Sequence, residues 1–90
     1  MCLGIPGQVV EITDAAGHLA KVDVSGVQRT ISIRLLADQG VAPDDWVLVH
    51  VGFAMSLIDQ HEADLTMAAI KQMGQAYSDE LEAFEATAIV

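Results

Sequence analysis

The sequence predicts a mainly β protein, a small OB-like β-barrel with a C-terminal α-helix. Five short β-prone segments come first along the chain, and helical periodicity follows only after residue 58. A doubly wound parallel sheet needs helices between its strands, so this order of elements excludes it. With 90 residues and a hydrophobic content of 52%, the chain is long enough for one such domain and its core.

The five β-prone segments are bounded by turn residues and span 8–12, 19–24, 27–35, 46–51 and 53–58. Residues 1–7, which precede them, are expected to be an irregular tail. The Ser25-Gly26 pair predicts a two-residue turn between the second and third strands. Arg29 falls on the apolar face of the third strand, which places it near a strand end. That face is formed by Val27, Ile31, Ile33 and Leu35.

The helix is predicted to begin at Asp59, because Asp59 and Glu62 have the spacing of a capping box. Gly74 is expected to weaken or end it. Residues 1–75 then form the barrel and its helix, whereas residues 76–90 form an acidic extension, partly helical or flexible. In that extension Ser78 and Asp79 are candidate caps for a further turn or two. An apolar stripe at helical spacing is expected to pack on the barrel: Ala63, Met67, Ile70, Met73 and Tyr77.

The formal net charge is −9, with thirteen acidic residues against four basic ones. Nucleic-acid affinity depends mostly on Lys and Arg side chains that neutralise phosphates, so no nucleic-acid partner is expected. The start of the chain lacks a basic region followed by a continuous apolar run, and no apolar stretch approaches the ~20 residues of a spanning helix. The sequence therefore predicts a soluble, cytoplasmic protein without a membrane partner.

Cys2 is the only cysteine, and glycine and proline follow it closely in the chain. A structural free cysteine is normally buried, whereas the first residues of a domain are loosely held. This thiol is therefore better placed to reach a metal, a partner protein or an electrophile. If Met1 is removed, the α-ammonium group beside the thiol favours the thiolate. The alternative is a thiol that packs at the edge of the barrel.

His50 is the second candidate, on the same face of its predicted strand as Trp46 and Leu48. A neutral imidazole is a common metal ligand, but the strand sequence alone favours a core or rim histidine bonded to a backbone carbonyl. Cys2 and His50 are far apart in sequence, so a joint metal site depends on tertiary structure. The chain shows no nucleophile–base–acid set and no evident carboxylate pair, and no catalytic residues are predicted.

Two segments together resemble a known family. Residues 1–9 read MCLGIPGQV, which is similar to the N-terminal signature of the HypC/HybG/HupF family of nickel–iron hydrogenase maturation chaperones. Residues 46–56 read WVLVHVGFAMS, which resembles that family's second signature. The stretch 20–29 fits between the two signatures, and the resemblance covers about residues 1–75.

The resemblance implies a scaffold and carrier rather than an enzyme. Family members pair with HypD, an iron–sulfur protein, while iron is assembled with its cyanide and carbon monoxide ligands. They then carry this transient Fe(CN)2CO unit to the precursor of the hydrogenase large subunit. The family's essential cysteine corresponds to Cys2, and its motif histidine corresponds to His50, as the metal ligands. The implied partner contact comprises Cys2, Leu3, Gly4, Ile5, Pro6 and Gly7.

Ser25 departs from the pattern, since some relatives have a cysteine at this turn. A hydroxyl group suits the hairpin equally well. The competing function is a metal-free protein-interaction module of the same barrel class, in which Cys2 is a docking or redox contact. An OB-type oligonucleotide binder is disfavoured by the negative charge and by the low aromatic content of 4%.

Overall fold

A computed structural model describes residues 4–86, in which five strands close into a barrel. The order around the barrel is β1-β2-β3-β5-β4, and β4 pairs again with β1. All these pairs are antiparallel except β3 with β5. This confirms the predicted OB-like barrel with C-terminal helix. The elements are β1 Ile5–Asp14, β2 Leu19–Val24, β3 Val27–Ser32, a 3-10 turn Arg34–Leu36, β4 Trp46–His50, β5 Phe53–Ile58, α1 Gln60–Gln72 and α2 Gln75–Ala86.

The core fills the interior of the barrel with aliphatic side chains, most of them β-branched. Alternate residues point inward along each strand, as the period of a β-strand requires. Val and Ile dominate this layer because their branched side chains pack well on a pleated surface. The strands contribute these fully buried aliphatic residues to the core: Ile5, Val9, Ala20, Val22, Val24, Ile31, Val47, Val49 and Ala54.

Strand β1 begins three residues earlier than the sequence predicts, so the expectation of an irregular tail is wrong for residues 5–7. Pro6 pairs with Leu48 on one side, and the pairing of β1 with β2 begins only at Gln8. Proline is tolerated where a strand has a single neighbour, as β1 does at Pro6. The prediction failed because the local sequence does not reveal the long-range pairing with β4.

Strand β3 ends at Ser32, three residues earlier than predicted. The Oγ of Ser32 accepts a hydrogen bond from the Arg34 backbone N–H at 3.2 Å, which supports the turn that follows. In that turn Leu36 is buried and Leu35 is exposed, so the prediction for Leu35 is wrong. Arg29 is the third residue of β3 rather than a residue near its end, and its guanidinium donates to two backbone carbonyls.

Two hairpin turns have positive φ at both central residues, as type I′ turns require. The predicted turn at Ser25 and Gly26 is confirmed, with φ of 51° and 88°. The second turn lies at Val51 and Gly52, with φ of 49° and 82°. Strand β4 therefore ends at His50, one residue before the predicted end.

Helix α1 begins with the predicted capping box. The Glu62 backbone N–H donates to Asp59 Oδ1 at 2.7 Å, and the Asp59 N–H donates to Glu62 Oε1 at 3.2 Å. Gly74 follows the helix at φ 58°, a conformation that favours glycine after a C-terminus. Met73 caps the helix and is half-exposed, so the prediction that it packs on the barrel is wrong. Ala63 and Ile70 are buried as expected.

Helix α2 has 12 residues, where the sequence predicted a turn or two. Ser78 and Asp79 lie within it and do not cap it. Phe84 is 1% exposed and belongs to the core cluster of the barrel, which explains why the acidic segment is helical. Within residues 4–86, neither helix is long and apolar enough to cross a membrane.

Candidate functional site

His50 is the last residue of β4 and lies on the outer side of the barrel wall. Val47 and Val49 point into the core, whereas Trp46, Leu48 and His50 are partly buried on the other face. This confirms the face that the sequence predicted for His50. Helices α1 and α2 both contact β4. His50 therefore lies at a rim, between the end of a strand and the helices that cover it.

The Nδ1 atom of His50 contacts the carboxylate of Glu80 in helix α2. Both carboxylate oxygens lie 3.2 Å from Nδ1. The imidazole side chain is 40% exposed, and the Glu80 side chain is 8% exposed. The partner of His50 is thus a buried carboxylate, not the backbone carbonyl that the strand sequence favoured.

The turn after His50 holds the strand end in place. Val51 has φ of 49°, and a β-branched residue in the left-handed region stores strain of about 1–3 kcal/mol. The carbonyl of Gly52 accepts a hydrogen bond from the backbone N–H of Ser32 at 3.0 Å, which ties the turn to β3. Phe53 lies opposite His50 across this turn and is nearly half-exposed. The tight turn leaves His50 little freedom of backbone position.

The chain enters β1 beside this strand end. Ile5 pairs with Val49, so the residue before Ile5 lies next to the end of β4. A Cβ atom added to Gly4 would lie 2.5 Å from Cγ of Leu48. Because Leu48 and His50 share the outer face of β4, a side chain at position 4 would project onto that face. Glycine is needed there because the backbone approaches a side chain so closely.

Cys2 and Leu3 lie outside the described residues, and so does the predicted Cys2 thiol contact. The first residue that the structure describes is Gly4, which precedes the pairing of Ile5 with Val49 near the end of β4.

The rest of the predicted partner contact is built into the barrel. Gly4, Ile5, Pro6 and Gly7 are all buried. In residues 4–86, no cluster of three or more His, Cys, Asp or Glu side chains is arranged to hold a metal ion. The site that the described residues form therefore consists of the His50 imidazole, hydrogen-bonded through Nδ1 to the Glu80 carboxylate. It lies next to the start of β1, the strand that follows Cys2 in the sequence.

Glu80 is the residue of this site that the sequence analysis missed. It lies in the acidic segment that was expected to be partly helical or flexible. One signal was present: Tyr77, Leu81 and Phe84 have helical spacing, and Glu80 falls among them on the same face. When an apolar helix face is buried, an acidic residue within it needs a hydrogen-bond partner, because an unpaired buried carboxylate is costly.

Comparison with known proteins gives consistent matches over most of the chain. It is 52% identical to the hydrogenase maturation factor HypC of Rhodobacter capsulatus over 79 residues, covering 84% of this chain and 81% of the relative. It is 47% identical to the hydrogenase maturation factor HybG of Escherichia coli K12 over 75 residues, covering 81% of this chain and 92% of the relative. It is 48% identical to the frd operon uncharacterized protein C of Proteus vulgaris over 88 residues, covering 93% of this chain and 88% of the relative.

A family model describes the segment that contains both sequence signatures. The match extends over residues 1–70, from Cys2 through the barrel and most of α1. It includes His50 and the turn behind it, and it ends before α2 begins. Together with relatives that share about half of their residues with this chain, the match shows that the chain belongs to the HupF/HypC family.

Proposed function

We propose that this protein is a maturation factor for nickel–iron hydrogenase. In this role it pairs with a HypD-type iron–sulfur protein, carries the Fe(CN)2CO unit, and delivers it to the precursor of the hydrogenase large subunit. The observation that carries the proposal is the similarity, at about half identity, to relatives named hydrogenase maturation factors. The proposed role is that of a carrier in the cytoplasm, without catalysis of its own.

The chemistry of the donor groups supports iron as the cargo. A thiolate is a soft ligand and an imidazole suits iron, so Cys2 and His50 are a compatible pair. His50 has a partly exposed ring at the rim, and Cys2 precedes by two residues Gly4, whose backbone lies close to the Leu48 side chain. Two protein ligands bind less permanently than the four of a closed structural site, as release of a cargo requires.

The burial of residues 4–7 supports a division of roles within the proposed partner contact. Ile5 and Gly7 face the core and anchor the segment to the barrel. Cys2 and Leu3 precede this anchor and supply the groups that reach the partner. The exposed residues Val51 and Phe53 border His50 and extend the surface available to the partner.

The first test replaces Cys2. We expect Cys2→Ala and Cys2→Ser both to abolish hydrogenase maturation in cells that lack the native factor, because neither side chain supplies a thiolate. Hydrogenase activity is the readout, and circular dichroism of each purified variant checks the fold. The serine variant keeps the size of the side chain and so separates thiolate chemistry from packing. Normal maturation with either variant would show that the proposal is wrong.

The second test replaces His50. We expect His50→Ala to reduce maturation less than Cys2→Ala does, and to leave the barrel folded, because the ring is at the rim and outside the core cluster. His61→Ala is the matched control, since His61 is exposed on α1. Loss of the fold in His50→Ala would instead assign His50 a structural role and remove it from the proposed ligand set.

Infrared spectroscopy tests the cargo directly. The complex with the HypD-type partner is purified without oxygen from cells that make the hydrogenase. Stretching bands of iron-bound cyanide and carbon monoxide are expected in the wild-type complex and absent from the Cys2→Ala preparation. A wild-type complex without these bands would favour the metal-free interaction module.

A further inference from the structure

Glu80 is the one charged residue that is buried within residues 4–86. A carboxylate removed from water is costly unless it is hydrogen-bonded. Both of its oxygens lie 3.2 Å from His50 Nδ1, and no other hydrogen bond from the described residues reaches them. The imidazole is therefore the group that satisfies this carboxylate, and the two residues form one unit.

The chemistry of this unit determines which ring nitrogen carries the proton. An ionised carboxylate can only accept hydrogen bonds, so Nδ1 must donate. In a neutral imidazole, the other nitrogen, Nε2, then carries the free lone pair. Nε2 has no hydrogen-bond partner among residues 4–86, and the ring is 40% exposed. The Nε2 lone pair is thus accessible to a ligand that residues 4–86 do not supply.

We propose that Glu80 is a positioning residue that holds His50 in the Nδ1–H form and so keeps Nε2 as the donor atom. Carboxylates that accept from the far nitrogen of a ligating histidine orient the ring and raise its basicity. In this protein the carboxylate comes from α2, beyond residue 70, where the family match ends. The choice of donor atom on His50 is therefore made by the C-terminal helix of this chain. The link to iron binding rests on the proposed function, whereas the choice of donor atom does not.

The docking of α2 explains how Glu80 keeps its position. Phe84, one helical turn after Glu80, is buried in the core of the barrel. Tyr77, almost one turn before Glu80, donates through its hydroxyl to Ser25 Oγ at 3.0 Å. Further along the helix, the Glu85 carbonyl accepts from Arg29 Nε at 3.0 Å. Contacts on both sides of Glu80 thus hold the carboxylate against the imidazole.

Nitrogen-15 NMR of the histidine rings tests the proposal on the full chain. The spectra are recorded at a pH where free imidazole is neutral. In the wild type, His50 is expected to show a protonated Nδ1 and a bare Nε2. In Glu80→Ala the Nε2–H form is expected to become the major form. Glu80→Gln keeps the size of the side chain, and its amide can donate as well as accept, so the Nε2–H form is expected to rise there too.

Glu82→Ala is the matched control, because Glu82 is an exposed acid on the same helix. It should leave the His50 signals unchanged. A wild-type His50 with its proton on Nε2, or signals that do not move in either Glu80 variant, would overturn the proposal. The result is separable from the maturation tests: normal maturation in Cys2→Ala would refute the carrier function and leave the proton position of His50 as measured.

Hydrogenase maturation in the same variants gives the functional readout. Glu80→Ala is expected to lower maturation to about the level of His50→Ala, and Glu82→Ala is expected to support normal maturation. If Glu80→Ala shifts the proton to Nε2 and still supports normal maturation in cells where His50→Ala does not, the positioning role is wrong.

Discussion

At the scale of single residues, Gly7 shows how packing selects a residue type. A Cβ atom at this position would lie 2.5 Å from Cγ1 of Val22 and 2.9 Å from Cγ2 of Val24. Both valines are fully buried inside the barrel, so neither can move into open space. Gly7 is not among the residues with positive φ, and the need for glycine here is therefore one of volume.

We expect Gly7→Ala to lower the free energy of unfolding by about 1–3 kcal/mol, the usual cost of overpacking a core. Urea denaturation measures the change. The double variant Gly7→Ala/Val22→Ala is the control, because shortening Val22 removes the nearest atom. The double variant should lose less free energy of unfolding than the sum of the losses in the two single variants. Strict additivity would show that the contact with Val22 is not the cause.

At the scale of elements, α2 links regions that are distant in sequence. Its residues contact the β2–β3 turn through Tyr77, the end of β4 through Glu80 and the core through Phe84. The hydroxyl of Ser25 in this turn accepts the bond from Tyr77. A cysteine thiol would be a weaker acceptor at this position.

Phe84→Ala is expected to release α2 before the barrel unfolds. Deleting a buried aromatic side chain costs about 3–5 kcal/mol, and a short helix without its core anchor is marginal in water. Amide hydrogen exchange should therefore rise over residues 75–86 and change little in the strands. Leu65→Ala is the control, because Leu65 is an exposed apolar residue on α1. Equal acceleration in all strands would show that α2 and the barrel unfold as one unit.

At the scale of the whole molecule, the charge is strongly one-sided. Three of the four basic side chains are engaged within the protein: Lys21 pairs with Glu11 at 3.3 Å, Arg29 donates to backbone carbonyls, and Lys71 lies 5.6 Å from the ring centre of Tyr77. The acidic residues far outnumber these groups. The surface field therefore repels polyanions and favours basic partners.

Accordingly, we expect no binding of single-stranded DNA to this barrel, although barrels of this class often bind it. Fluorescence anisotropy with a labelled oligonucleotide at 0.1 M salt is the measurement. A known single-strand binding protein under the same conditions is the control. Salt-sensitive binding in the micromolar range would contradict the prediction, since it would require a basic face that the charge count does not provide.

Local patterns in the sequence were sufficient to predict much of the fold. β-Prone runs bounded by turn residues located all five strands, Ser25-Gly26 located a turn, and Asp59 with Glu62 located the start of α1. These features depend on interactions between near neighbours in the chain, so their signals are local. The two family signatures located His50 and Cys2, and they lie within the segment that the family model matches.

Only the tertiary structure determined the features that depend on distant partners. The pairing of residues 5–7 with β4 extends β1 over a segment that reads as irregular. The burial of Phe84 makes a full helix of a segment whose charge suggests a flexible extension. The contact between His50 and Glu80 spans 30 residues and has no spacing rule. The sequence by itself determined the five strands and the start of α1, whereas long-range packing decided how the elements end, whether α2 forms in full and which side chains meet, because burial is a property of the assembled core.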